Sequence, residues 1–153
     1  MHNLGSFKMY KITQLSIFLE NRRGNLYNTL DLLAQNDINI KALFLADTSE
    51  FGILRLVVPD YKKAKRVLEE KHYIVKETPV ICAVMDDVPG GLSSILKILR
   101  DEDIDLEYLY AIAHGEIEKA GLLLHTKDLD QLEEVLLKND IPLVPSELIY
   151  NAE

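Results

Sequence analysis

The chain has 153 residues, 48% of them hydrophobic and 27% charged, with a formal net charge of −8. It is too apolar for an intrinsically disordered segment, and no stretch approaches the roughly 18 uncharged apolar residues that make a membrane-spanning helix. The acidic balance also argues against a nucleic-acid partner, whose affinity comes mostly from neutralising phosphates. The first ten residues show no apolar core of a secretion signal. The single cysteine, Cys82, cannot close an internal disulfide, so a reduced, cytoplasmic setting is expected. The charge is uneven: residues 1–78 carry 12 Lys/Arg against 9 Asp/Glu, and residues 79–153 carry 5 against 16.

In chain order, alternating Leu15, Ile17 and Leu19 predict a strand over residues 14–20. Leu26, Leu30 and Leu33 then recur at i, i+4 and i+7, the inward stripe of an amphipathic helix. Alternation resumes over 38–47, a polar cluster marks a turn, and residues 51–58 form a strongly β-favouring run. Pro59-Asp60 opens a second helix with Ala64, Val67 and Leu68 inward, and residues 72–76 read as a strand. After a short link at Glu77-Thr78-Pro79 the order returns. A strand covers 80–85, a helix 91–100, strands 104–112 and 120–126, and a helix 129–137. A last strand is expected over 143–150, interrupted by Pro145.

The second half therefore repeats the first. At an offset of 66 residues Gly24 falls on Gly90, Leu26 on Leu92, Leu33 on Leu99, Asp37 on Asp103 and Ile38 on Ile104. An insertion around Gly115 moves the offset to 68, where Val67-Leu68 meets Val135-Leu136. The fold class expected is α+β: two tandem ferredoxin-like βαββαβ units, residues 10–78 and 79–150, each an antiparallel sheet with its helices on one face. That architecture hosts many functions, so function must come from the site.

The turn from first strand to first helix is the most informative feature of each copy. Gly24 and the pair Gly90-Gly91 permit a tight turn and close backbone approach, and Pro89 suits a helix start. The helix that follows presents unpaired N–H groups and partial positive charge, a seat for an anionic group. Catalytic and metal signatures are missing. The glycines are not followed by a phosphate-binding lysine, and there is no G-x-S-x-G. The acidic run at 101–105 starts like a calcium loop, but has Leu106 where glycine is required and Ile112 where glutamate is required. Cys82 and His125 read as structural strand residues, and His114, at a strand-to-loop boundary, as a secondary candidate for ligand contact. No cofactor, metal site or enzyme activity is expected.

The run Glu20-Asn21-Arg22-Arg23-Gly24-Asn25-Leu26, with Asn36-Asp37-Ile38-Asn39-Ile40 after it, resembles the ACT domain family, especially the regulatory domain of phosphoglycerate dehydrogenase. Asp87-Val88-Pro89-Gly90-Gly91-Leu92 and Asp103-Ile104-Asp105-Leu106 match the same pattern in the second copy. The resemblance implies a small-molecule sensor, usually of amino acids, with the ligand where one ACT unit abuts another. It places Asn21 and Asn39 on the family's loop and second-strand asparagines. Asp87 and Asp105 depart from both in the second copy, as Arg23 departs from the family's proline. The two sites are thus expected to differ, with Arg22 and Arg23 toward a carboxylate and Asp86 or Asp87 toward an ammonium. The function implied is an amino-acid-binding regulatory protein, or alternatively a regulatory subunit of an amino-acid biosynthetic enzyme. The partners implied are a free amino acid or similar zwitterion, an enzyme, and a second copy of the chain. Residues 80–85 are apolar on both faces and the helices cover only one face of each sheet, so a homodimer is expected to cover the other.

Overall fold

The computed structural model describes residues 8–47, 50–113 and 118–151. The described chain contains six strands and five helices and divides into two compact units. Residues 13–78 and 148–151 belong to one, and residues 8–12 with Pro79–Glu147 to the other.

The first unit comprises β1 (Lys11–Glu20) from Thr13 on, α1 (Asn25–Gln35), β2 (Ala42–Asp47), β3 (Phe51–Val57), α2 (Tyr61–Glu70) and the first part of β4 (Ile74–Asp86). β3 pairs antiparallel with both β1 and β2, setting Ile17 opposite Leu54 and Leu45 opposite the same residue on the other side. β4 lies on the remaining side of β1. The side chains that alternate onto one face (Leu15, Ile17, Leu54 and Leu56) pack with Leu33 of α1 and Ala64 and Leu68 of α2. Each fully buried Leu or Ile contributes about 1.5–3 kcal/mol from leaving water.

The second unit holds the rest of β4, α3 (Gly91–Asp101), β5 (Leu106–Ala113), β6 (Lys119–Thr126) and α4 (Leu129–Lys138). Here β6 pairs with β4 and β5, and Ile81, Ala83, Leu122 and Leu124 pack with Ile95, Leu99, Leu132 and Leu136 of the helices.

Three expectations are corrected. The three-residue link at 77–79 is no link, because β4 runs unbroken for 13 residues through it. β2 and β5 begin four and two residues later than the alternation suggested, because each preceding helix ends in a six-residue closure. Ile38 N–H reaches Leu33 O (3.0 Å) and Ile104 N–H reaches Leu99 O (2.9 Å), while Asp37 and Asp103 take left-handed φ of 63° and 60°. The final strand is reduced to one bridge between Ala83 and Leu143. Pro145, which has no N–H to donate, ends it, and the chain turns into the short helix α5 (Ser146–Tyr150). The Tyr150 hydroxyl accepts the Thr13 N–H at 2.8 Å.

Val80, Ile81, Cys82 and Ala83 are all buried, so this stretch is not the bare face that was expected. Large exposed apolar groups occur in both units, at Phe18, Leu43, Leu45, Phe51 and Ile74 in the first and at Val88, Leu92 and Leu137 in the second. No helix among the described residues is long and apolar enough to cross a membrane.

Candidate functional site

The four longer helices start in two ways. α2 and α4 carry side-chain caps: the Asp60 and Asp128 carboxylates each accept an N–H of the first turn at 3.1 Å. α1 and α3 instead start at Gly24 and Gly90, with left-handed φ of 84° and 87° and no side-chain cap. An L side chain is strained there, which explains glycine at both. The pattern leaves the first-turn donors of α1 and α3 without a protein carboxylate, at the two turns singled out in the sequence.

In the β1–α1 turn, Asn21 N–H donates to Glu50 O (3.0 Å) and the Asn25 amide to Glu20 O (2.7 Å). The Arg22 guanidinium pairs with the Glu20 carboxylate at 2.6 Å. Both partners are mostly solvent-exposed, so the pair contributes little to stability and can exchange partners. Arg23 is exposed, and Leu26 packs on the core.

The β4–α3 turn has the same frame. Asp87 N–H donates to Glu118 O (2.7 Å), and Gly91 N–H to Val88 O (3.0 Å). Its chemistry differs. Asp86 is tied to Lys119, and Val88, Pro89 and Leu92 are exposed. A Cβ on Gly91 would stand 1.8 Å from Asp86 O, so no side chain can occupy the place that Asn25 fills in the first copy.

Asn39 and Asp105 are exposed and sit past the C-terminal ends of α1 and α3, outside the strands they were expected to open. A helix of 11 residues is about 16 Å long. Neither residue therefore shares one small-ligand site with the turn at the other end of its own helix. Asp105 lines a separate depression with Asp103, Glu107 and Asp128. His114 lies outside the described residues. No group of three or more metal-ligating side chains occurs among the described residues.

What the turn reading missed is a cleft of about 310 Å³ in the first unit. The end of β1 (Phe18, Leu19, Glu20) and the turn residues Arg22 and Asn25 form one wall. The start of β3, at Phe51, and the α2–β4 turn, at Lys71, His72 and Tyr73, form the other. β4 lies beside β1, which brings the α2–β4 turn up to the β1–α1 turn. The signal in sequence was only the order of elements, since nothing local marks His72 as a neighbour of Arg22. His72 holds φ 68°, and Tyr73 shares a hydrogen bond of 3.1 Å with the buried Thr29 hydroxyl, fixing this wall to α1.

The remaining titratable candidates are structural. Burial pushes the Cys82 thiol up to about 11, which suppresses the thiolate a nucleophile needs. His125 Nδ1 donates to Pro79 O at 2.6 Å, and its ring stacks on Tyr108.

The family model of an ACT domain pair matches residues 10–151. The chain belongs to the ACT domain family. A crystal structure of a protein from Bacteroides thetaiotaomicron is 34% identical to it, with a TM-score of 0.86 over 94% of this chain and 98% of that one. The ligand-free regulatory subunit of aspartate kinase from Thermus thermophilus shares the fold at 9% identity, with a TM-score of 0.58 over 86% of this chain and 97% of that one. A structure of aspartokinase alpha and beta subunits does so at 19% identity, with a TM-score of 0.54 over 86% and 97%. Comparison with curated proteins finds no match. ACT domains are ligand-binding regulatory domains, and this ACT pair is built on that plan.

Proposed function

We propose that the chain is an amino-acid-responsive regulatory protein that acts by binding rather than by turnover. The observation carrying this reading is the contrast between helix starts: α2 and α4 are capped by Asp, whereas α1 and α3 open uncapped from a left-handed glycine. An α-carboxylate set there would meet a first helical turn that no side chain caps, and the positive end of the helix. Asn21 and Asn39 stand at opposite ends of α1, so one ligand meets both only if Asn39 comes from another ACT unit set against the turn. A second copy of the chain supplies one, and a homodimer is part of the proposal. The exposed Leu43 and Leu45 of β2 are apolar surface that such a dimer would cover.

The test is a thermal-shift screen of the intact chain against the common amino acids. Ligand at 100 times Kd adds about 2.7 kcal/mol, which raises Tm by roughly 5–10 °C for a chain of this size. No shift with any of them would overturn the reading. A second reading, a regulatory subunit acting on a separate enzyme in the cytoplasm, draws support from the fold shared with the Thermus thermophilus regulatory subunit. Recovery of a biosynthetic enzyme with the tagged chain, released by the amino acid that shifts its Tm, would establish it.

A further inference from the structure

The cleft of the first unit can be compared residue by residue with its counterpart in the second, because both copies share one backbone frame. Four helix ends close in the same way, Tyr73 N–H on Leu68 O and Ile141 N–H on Leu136 O being the second pair of closures. Asp37, Asp103 and Asp140 take the left-handed position at three of these ends, and His72 takes it at the end that lines the cleft. At the two offsets, Arg22 becomes Val88, Lys71 becomes Asn139 and His72 becomes Asp140. Phe51 becomes Lys119, whose ammonium is already tied to the carboxylate matching Glu20, that of Asp86. The second copy has thus exchanged the cations Arg22 and Lys71 for one, Lys119, that stands where the aromatic wall was, and has gained an acid, Asp140.

Resting on the amino-acid reading above, we infer that the first unit's cleft alone takes the ligand, one per chain, and that the ligand is a monocarboxylic amino acid with a large apolar side chain. The charges fit a zwitterion. Arg22 and Lys71 face the carboxylate, with a planar guanidinium suited to two parallel hydrogen bonds. Glu20, already paired with Arg22, faces the ammonium, so ligand enters an existing ion pair with both charges matched. Phe18, Phe51 and Ile74 supply an apolar wall that glycine or serine would leave unused and that an acidic side chain would desolvate at a cost. The volume, about 310 Å³, lies at the small end of ligand pockets, which suits an amino acid of roughly ten heavy atoms.

Isothermal titration of the full chain with L-phenylalanine, L-leucine, glycine and L-aspartate tests this. The expected result is one site per chain for phenylalanine or leucine, at least 10-fold tighter than for glycine or aspartate. Phe51→Ala and Lys71→Gln should each weaken that binding at least 5-fold; both side chains are at the surface, so the fold survives. Asp140→Asn, at the counterpart of His72, should leave it unchanged. Two sites per chain, preference for glycine or aspartate, or indifference to both cleft variants would overturn the inference while leaving an amino-acid regulator standing. Silence toward all common amino acids would overturn the inference and the underlying reading together.

Discussion

The β1–α1 and β4–α3 turns have one backbone and two chemistries. Each places a left-handed glycine before an uncapped helix, and each anchors its second residue to the facing strand hairpin through Asn21 or Asp87. Yet the first turn carries Glu20, Arg22 and Asn25 in a cleft with cations and aromatics, whereas the second carries Val88 and a glycine that nothing can replace. The difference runs inward as well. Thr29 and Tyr73 share a hydrogen bond behind the first turn, where the second copy has Ile95 and Ile141. The two copies keep one scaffold and differ in the side chains set on it.

The comparison breaks most visibly at Gly91. Gly91→Ala forces a Cβ against Asp86 O, and the second turn must open; urea unfolding should show a loss of about 3 kcal/mol or more. Asn25→Ala, at the same place in the first copy, removes one exposed hydrogen bond and should cost only about 0.5–1.5 kcal/mol. Equal losses would show that the two turns are not built as described.

Next in size is a pH effect confined to the second unit, where Cys82 takes the place of Ser16. Burial lifts the thiol from 9.0 to about 11, so the folded chain holds a proton that the unfolded chain releases. Stability present below pH 9 is therefore lost as pH rises toward 11, by roughly 2 kcal/mol. Denaturation measured at several pH values should give a flatter profile for Cys82→Ser than for the parent, whatever the offset between them.

Smaller again are the caps. Asp60→Ala and Asp128→Ala should each cost about 1 kcal/mol, and by similar amounts, because the same contact recurs in both copies at 3.1 Å. The smallest effect has the opposite sign. Asp37→Gly and Asp103→Gly relieve left-handed backbone at equivalent helix ends and should stabilise by a few tenths of a kcal/mol up to about 1, the gain being trimmed by glycine's greater freedom when unfolded.

Most of this architecture was legible in the sequence, because hydrophobic periodicity and the 66-residue offset are local signals repeated twice. The misreadings came where a backbone closure or a proline outweighed side-chain pattern. Ile38 and Ile104 alternate like strand residues, but they end the preceding helices through a long backbone hydrogen bond. Glu77-Thr78-Pro79 has turn composition, yet strand neighbours carry it through as part of β4. Of the candidate site, the glycine turn was readable because its residues are contiguous. Phe51, Lys71 and His72 were not, since only sheet order brings them to that turn. Asn39 was placed by family resemblance at a site shared between ACT units, and within one unit it stands at the far end of α1 from the turn.

The inequality of the two copies is tested most directly by following backbone amide resonances of the intact chain during titration with L-phenylalanine. Amides of Gly24, Asn25, Phe51 and His72 should move together and saturate at one equivalent, while those of Gly90, Gly91, Lys119 and Asp140 stay in place. Movement at the second set alone, or at both sets with a common midpoint, would contradict a single site in the first copy.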